Sequence, residues 1–246
     1  MGPTSMSPRS PVLRANDVRV HFEGVKAVDG VSLDIEKGVI VGLIGPNGAG
    51  KTTLVNALSG FQRVTAGRLS LDDVEITGWG PARRARAGIV RTFQDVRLFG
   101  ELTVSENVEA GAVGVGVSRR EAKKRTDGLL GDFDLTEWAE HRAHELPHGA
   151  ERMLGIARAL AAEPTFLFLD EPAAGLNESE STQLRERLRR LRDRYGFGVL
   201  VIEHDMSLIM GLCDQVHVLD YGKSLASGAP ETVRADPVVI EAYLGS

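Results

Sequence analysis

The 246-residue chain reads as an α/β domain with a mixed central sheet, an antiparallel β subdomain near its start and an inserted α-helical subdomain. Three observations predict this. The runs Val39 to Ile44, Phe166 to Leu169, Val199 to Ile202 and Val216 to Leu219 are short and place apolar residues on both faces, which suits strands covered on both sides. The segments Val18–Phe22, Val31–Ile35 and Gly67–Asp73 alternate apolar and polar residues, as antiparallel strands with one wet face do. From about Val96 to Glu145 strand signals vanish and the helical patterns VSENVEAGAV, SRREAKKRTDGLL and DLTEWAEH replace them.

Helices fall between the apolar runs. One is expected over Lys51 to Leu58 and another over Glu178 to Tyr195, with Leu184, Leu188, Leu191 and Tyr195 as its apolar stripe. The arginines of the latter (Arg185, Arg187, Arg189, Arg190, Arg192, Arg194) read as a solvated helix face or as a basic surface for nucleic acid. A third helix follows the stretch LPHGA, where Met153, Ile156, Ala157 and Leu160 recur at helical spacing. The expected organisation is a lead-in over 1–11, a single domain over 12–246, and a helical subdomain over about 96–160 inserted in it.

Bulk properties narrow the function. The net charge of −5 gives no reason to expect nucleic acid as partner. Cys213 is the lone cysteine, so an intrachain disulfide and a cysteine-based metal cluster are excluded. No apolar run approaches the roughly 20 residues that cross a bilayer. The segment MGPTSMSPRSP has no apolar core and does not read as a secretory signal. A membrane role therefore has to come through a partner.

The chemistry concentrates at strand ends. Gly45-Pro46-Asn47-Gly48-Ala49-Gly50-Lys51-Thr52 matches G-x-x-x-x-G-K-[ST], follows an apolar strand and opens a helix that continues through Thr53. Glycines let the backbone curl so that successive N–H groups face phosphate oxygens, and the helix start adds a favourable dipole. Lys51 is expected to reach the β- and γ-phosphates, and the Thr52 hydroxyl to ligate Mg²⁺. The run FLFLDE ends in Asp170, placed to hold the Mg²⁺ shell, and Glu171, suited to orient or deprotonate an attacking water. His204 ends the run VLVIEH on the same sheet edge and is a candidate contact for the γ-phosphate and the water. Gln94, closing IVRTFQ, is a candidate for Mg²⁺ or for the water, acting by hydrogen bonds alone.

Taken together, these elements resemble the ATP-binding subunit of ABC transporters. In order they are an aromatic residue near the start, the phosphate loop, a glutamine loop, a helical insert, a signature loop, an Asp-Glu strand and a switch histidine. The resemblance runs from about Leu13 to Gly245. It implies the ABC ATPase form of the P-loop fold, with ATP and Mg²⁺ as cofactors. It implies that Phe22 stacks on adenine, that Leu146-Pro147-His148-Gly149-Ala150 is the signature loop capping ATP held by the opposite subunit, and that AAGLN (Ala173–Asn177) crosses the dimer interface.

A closer resemblance is to the branched-chain (hydrophobic) amino acid importers. It is carried by RTFQDVRLF (Arg91–Phe99), AGLN, VIEHDM (Val201–Met206), VHVLDYGK (Val216–Lys223) and VIEAYLG (Val239–Gly245). It implies a peripheral subunit on the cytoplasmic side of the cell membrane. Its partners would be a second ATPase subunit, in a heterodimer or a homodimer, two transmembrane permeases and, indirectly, a solute-binding protein. Urea or amide importers and lipopolysaccharide exporters are the neighbouring alternatives, and a soluble ABC ATPase outside transport is the more distant one. Leu98, Phe99, Leu102 and Val104 either line the groove for a permease helix or belong to the subdomain core.

The family signature resembles L-S-G-G-Q, or L-A-Y-G-Q in the amino acid group, whereas this chain has LPHGA. Backbone donors around Gly149 and the helix dipole survive, while the serine hydroxyl and glutamine amide are gone. His148 replaces one donor by a charge-assisted bond if protonated. The expected consequence is two unequal nucleotide sites, the one capped by LPHGA being weaker.

Overall fold

The computed structural model describes residues 11–244. The lead-in read over 1–11 lies outside the described residues except for Pro11, and Gly245 lies outside them as well.

The strands are β1 (Val12–Phe22), β2 (Val25–Glu36), β3 (Ile40–Ile44), β4 (Ala66–Leu71), β5 (Val74–Glu75), β6 (Ile89–Arg91), β7 (Phe166–Asp170), β8 (Gly198–Ile202), β9 (Gln215–Asp220) and β10 (Lys223–Gly228). The α-helices are α1 (Lys51–Ser59), α2 (Pro81–Arg86), α3 (Val104–Gly114), α4 (Arg119–Asp132), α5 (His148–Leu160), α6 (Glu178–Tyr195), α7 (Met206–Leu212), α8 (Pro230–Ala235) and α9 (Pro237–Leu244).

They form two sheets. The six-stranded sheet runs β10-β9-β3-β8-β7-β6, parallel from β9 to β6 with β10 antiparallel at the edge. The four-stranded antiparallel sheet runs β2-β1-β4-β5. All four apolar runs became strands of the parallel block, and the alternating segments became β1, β2 and β4.

The apolar runs need two hydrophobic faces, and the fold supplies them. Alternate residues of β3, β7 and β8 enter different clusters. Ile40, Leu167, Leu169, Val199 and Val201 pack with residues of α3 to α7. Val41, Leu43, Phe166, Phe168, Leu200 and Ile202 pack with α1 and the inner face of the antiparallel sheet. Helix α1 is thus enclosed between two sheets, and its last carbonyls are capped by Arg84. That guanidinium is 1% exposed and donates to the carbonyls of Ala57, Leu58, Ile76, Thr77 and Trp79. Burial alone lowers its pKa to about 10.

The helical pattern VSENVEAGAV (Val104 to Val113) became α3. Residues 96–103 form a loop, and α3 starts at Val104 behind a capping box of Thr103 and Glu106. Of the four candidate groove residues, Val104 is fully buried and belongs to the core, and Leu98 packs against that core. Phe99 is 53% exposed. Three of the six arginines of α6 are held by local acids: Arg187 pairs with Asp134, Arg192 with Asp193 and Asp214, and Arg194 with Asp132. This supports the solvated-face reading.

Candidate functional site

Sheet order explains why residues distant in sequence converge. The C-terminal ends of β3, β8, β7 and β6 are consecutive along one edge, and each carries a polar continuation. In an open parallel sheet this edge is where ligands sit. β3 leads into the phosphate loop, β8 into Glu203 and His204, β7 into Asp170 and Glu171, and β6 into the loop holding Gln94.

Two glycines of the phosphate loop have no substitute. Gly45 has φ +149°, and a Cβ there would lie 2.1 Å from the Leu219 carbonyl oxygen. Gly50 has φ +99°, and a Cβ would lie 2.2 Å from the Ala27 carbonyl oxygen. The loop is thereby pressed between the β9–β10 turn and β2, with the Gly222 N–H donating to the Ala49 carbonyl at 3.0 Å. Gly50 precedes α1 with no side-chain cap, so the first N–H groups of α1 are unclaimed by a capping side chain. The Lys51 ammonium donates to the carbonyls of Gly45 at 2.6 Å and Pro46 at 2.9 Å. Its pKa is lowered by burial and raised in part by Glu171.

A cavity of about 440 Å³ opens beside this loop. Asn47, Gly48, Ala49, Gly50, Lys51, Thr52 and Thr53 line it on one side and Glu171 and His204 on another. Val25, Lys26, Ala27, Ile202 and Tyr221 complete it. The Glu171 carboxylate is held at both oxygens. His204 Nε2 lies 2.7 Å from Oε1, and Gln94 Nε2 donates to Oε2 at 2.7 Å. Glu171, His204 and Gln94, three of the four candidate catalytic side chains, therefore meet at one carboxylate, while Lys51 bonds to the loop carbonyls. Glu171 itself sits at φ +47°, a left-handed conformation that a side chain with a Cβ avoids.

Asp170 lies one residue behind this cluster and does not line the cavity. Its Oδ2 accepts from Arg91 at 2.6 Å, both side chains being nearly buried, and Arg91 also donates to Asn56 on α1. Glu203, buried, accepts from the Ala173 N–H at 2.7 Å and the His204 N–H at 3.1 Å. Burial raises its pKa despite these donors.

The donor set fits Mg²⁺. Thr52 offers a hydroxyl, Asp170 a carboxylate whose Oδ1 has no protein donor among the described contacts, and Gln94 an amide oxygen, all hard ligands. Among the described residues no cluster of three or more His, Cys, Asp or Glu forms a ready cage. Mg²⁺ is characteristically held by one or two protein groups together with substrate phosphates.

Phe22 stands at the end of β1, paired across the hairpin with Val25, and is 44% exposed. It is not among the residues lining the cavity, whereas Tyr221, 85% exposed, is. The signature loop lies apart from this cavity. Leu146 is buried, Pro147 and His148 are exposed, and α5 starts at His148 with Pro147 as an N-cap that makes no side-chain cap. Gly149 and Ala150 follow within its first turn. His148 packs against Gly175 of the AAGLN segment, where an added Cβ would lie 3.3 Å from its ring.

Arg91, Glu203 and Tyr221 are site residues to which sequence reasoning gave no role. Glu203 and Arg91 adjoin residues that it did select, at the tips of β8 and β6. A buried acid beside a histidine was a usable signal. Tyr221 left none, since its role depends on the β9–β10 turn meeting the phosphate loop.

A phosphate loop, an acid clamped by histidine and glutamine, and a helix start presenting bare N–H groups define a P-loop ATPase. Comparison with known proteins narrows this. The sequence model of the ABC transporter family matches residues 28–174, and that of the branched-chain amino acid ATP-binding cassette transporter family matches residues 223–246. The high-affinity branched-chain amino acid transport ATP-binding protein BraF of Pseudomonas aeruginosa is 43% identical, over 96% of this chain and 98% of its own. LivG of Escherichia coli K12, of the same description, is 43% identical with the same coverage. The crystal structure of the ADP conformation of an ABC transporter ATP-binding cassette superposes with a TM-score of 0.86, at 31% identity, over 96% of this chain and 99% of that one. The chain belongs to the ABC transporter family, as one of its ATP-binding, ATP-hydrolysing subunits. No helix among the described residues is long and apolar enough to cross a membrane.

Proposed function

We propose that the chain energises the uptake of branched-chain amino acids, hydrolysing ATP on the cytoplasmic side of the cell membrane against two permease subunits. The observation that carries the reading is the pairing of the Gln94–Glu171–His204 cluster with a C-terminal segment, 223–246, matching the branched-chain cassette family. The working unit in this reading is a head-to-tail pair with a second ATPase subunit, and a solute-binding protein delivers the cargo.

The chemistry follows from the cluster. ATP phosphates lie on the N–H groups of Gly48 to Thr53, with Lys51 and the α1 dipole countering the charge that develops on the γ-phosphoryl group. Thr52, Asp170 and Gln94 would hold Mg²⁺, which when bound neutralises phosphate charge. Glu171 accepts the hydrogen bond, or the proton, of the water that attacks in line. His204 and Gln94 fix both carboxylate oxygens, so the base is oriented before substrate arrives. His204 is also placed to contact the γ-phosphate. In the assembled pair the LPHGA loop contacts the partner's nucleotide, not the one on this chain's own phosphate loop.

The test is Glu171→Gln. It should bind ATP with near-native affinity and lose about 10²- to 10⁴-fold in turnover, the range for a general base. Cells lacking the chain should lose uptake of labelled leucine, isoleucine and valine. Wild type should restore that uptake and Glu171→Gln should not. Retained branched-chain uptake in the deletion strain would reject the cargo, and undiminished hydrolysis by the variant would reject the base.

A further inference from the structure

Helix α5 sends two arginines into the interior, and neither is explained by the roles above. Arg158 donates to the backbone carbonyls of Val96 at 2.6 Å and Arg97 at 2.8 Å. These residues lie two and three positions after Gln94. Arg152, six residues earlier and 7% exposed, donates through Nη1 to the backbone carbonyl of Glu171 at 2.6 Å. No carboxylate among the described residues pairs with Arg152, and its buried Nε has no hydrogen-bond partner. Burying a guanidinium without a counter-charge is costly, so its one strong bond invites a function.

That bond lands on a peculiar peptide. Glu171 is left-handed at φ +47°, and its N–H donates to the Ile202 carbonyl on β8 at 2.9 Å. Its carbonyl therefore turns away from the sheet and toward α5, where Arg152 meets it. Without the Arg152 bond that carbonyl keeps only the 3.2 Å contact from the Ala174 N–H. The helix is also close against the Gln94 loop, since a Cβ on Gly155 would lie 2.3 Å from Val96 Cγ1. One helix thus grips both halves of the Gln94–Glu171 contact.

We propose that Arg152 is a positioning residue for hydrolysis, holding the Glu171 peptide in the left-handed conformation that sets its carboxylate between His204 and Gln94. The proposal rests on the reading of Glu171 as the base. It has a regulatory consequence. Arg152 lies one turn behind the LPHGA loop, so docking of that loop on the partner's nucleotide is transmitted through α5 to the base of this chain's own site.

Arg152→Met keeps the length and apolar stem and removes the donor, while Arg152→Lys keeps a charge and a single-point donor. In the nucleotide-free full chain, amide hydrogen exchange over residues 171–174 should rise about 10-fold in Arg152→Met with little change in β7 and β8, as loss of one strong local bond predicts. Its kcat should fall about 10- to 100-fold with KM for ATP within about 2-fold, and Arg152→Lys should recover part of the loss. In a Glu171→Gln background, Arg152→Met should change turnover by less than about 2-fold, because the two act as a unit. Unchanged exchange at 171–174, unchanged kcat, or an equal fall in the Glu171→Gln background would each overturn the proposal. If Glu171→Gln alone keeps its turnover, the reading of the base fails, and exchange still decides whether Arg152 holds the peptide.

Discussion

In the proposed mechanism two helix starts address phosphate, and they are built in opposite ways. Helix α1 begins after a loop whose glycines sit at positive φ against neighbouring carbonyls, with a lysine at its first position. Helix α5 begins after a proline, with His148 first, glycine second and no residue in a conformation that glycine alone tolerates. The first loop is rigid because it is wedged between β2 and the β9–β10 turn. The second is held from behind, by Arg152, Arg158 and the packing of α5. Anion binding needs bare N–H groups and a dipole, and both starts have them. What differs is whether the backbone or the side chains decide the geometry.

The same substitution should therefore do different things at the two starts. Gly50→Ala places a Cβ 2.2 Å from a carbonyl oxygen at φ +99°, so the loop has to move. ATP affinity should fall by about 100-fold or more, an effect of several kcal/mol in line with left-handed strain plus a backbone clash. Gly149→Ala is helical and meets nothing closer than the Glu180 carboxylate at 3.8 Å. It should leave ATP binding by the isolated chain unchanged and raise stability by about 0.5–1 kcal/mol through helix propensity. Equilibrium nucleotide titration and thermal unfolding of both variants check the contrast, and equal loss of ATP binding would erase it.

The adenine side gives a smaller effect and a sharper choice. Resemblance assigns stacking to Phe22, whereas Tyr221 is the aromatic residue that lines the cavity. A base stacked on an aromatic ring contributes about 1–3 kcal/mol by alanine substitution, or roughly 5- to 100-fold in Kd. Phe22→Ala should weaken ATP by the lower part of that range with turnover at saturation nearly unchanged. Tyr221→Ala should change Kd by less than about 2-fold if the tyrosine only borders the phosphates. The reverse ranking would move the adenine site from the β1–β2 hairpin to the β9–β10 turn.

What the sequence disclosed divides along the same line. The phosphate loop, Asp170, Glu171 and His204 were legible because each ends an apolar run, and parallel strands deliver their C-terminal ends to one edge. Gln94 was legible three residues beyond the end of β6, where it closes IVRTFQ. The two-faced core was legible in the unbroken apolar character of β3, β7 and β8. Contacts made by backbone were not. The Arg152 bond to Glu171 needs the left-handed turn at Glu171, and no periodicity announces that. The Arg91–Asp170 pair needs β6 beside β7, a neighbour relation that strand spacing leaves open. Helix α3 was legible in the pattern VSENVEAGAV, whereas the carbonyls that Val96 and Arg97 give to Arg158 were not.

The smallest effect concerns what LPHGA lacks. Helices α3 and α6 each start with a capping box, Thr103 with Glu106 and Asn177 with Glu180. Pro147 and Ala150 occupy the corresponding N-cap and N3 positions of α5, so Pro147→Ser with Ala150→Gln would write an S-x-x-Q box there. In the isolated chain the new cap should add about 1 kcal/mol, raising Tm by roughly 2–4 °C for a chain of this size. In the assembled pair the same side chains should turn to the partner's nucleotide, and turnover at that site should rise about 2- to 5-fold, within the strength of one or two hydrogen bonds. A higher Tm without faster turnover would mean that the serine serves α5 alone and that the backbone donors of His148, Gly149 and Ala150 already suffice. Faster turnover at unchanged Tm would mean that the two side chains act only once the loop meets phosphate, making the two nucleotide sites unequal by side-chain chemistry and not by fold.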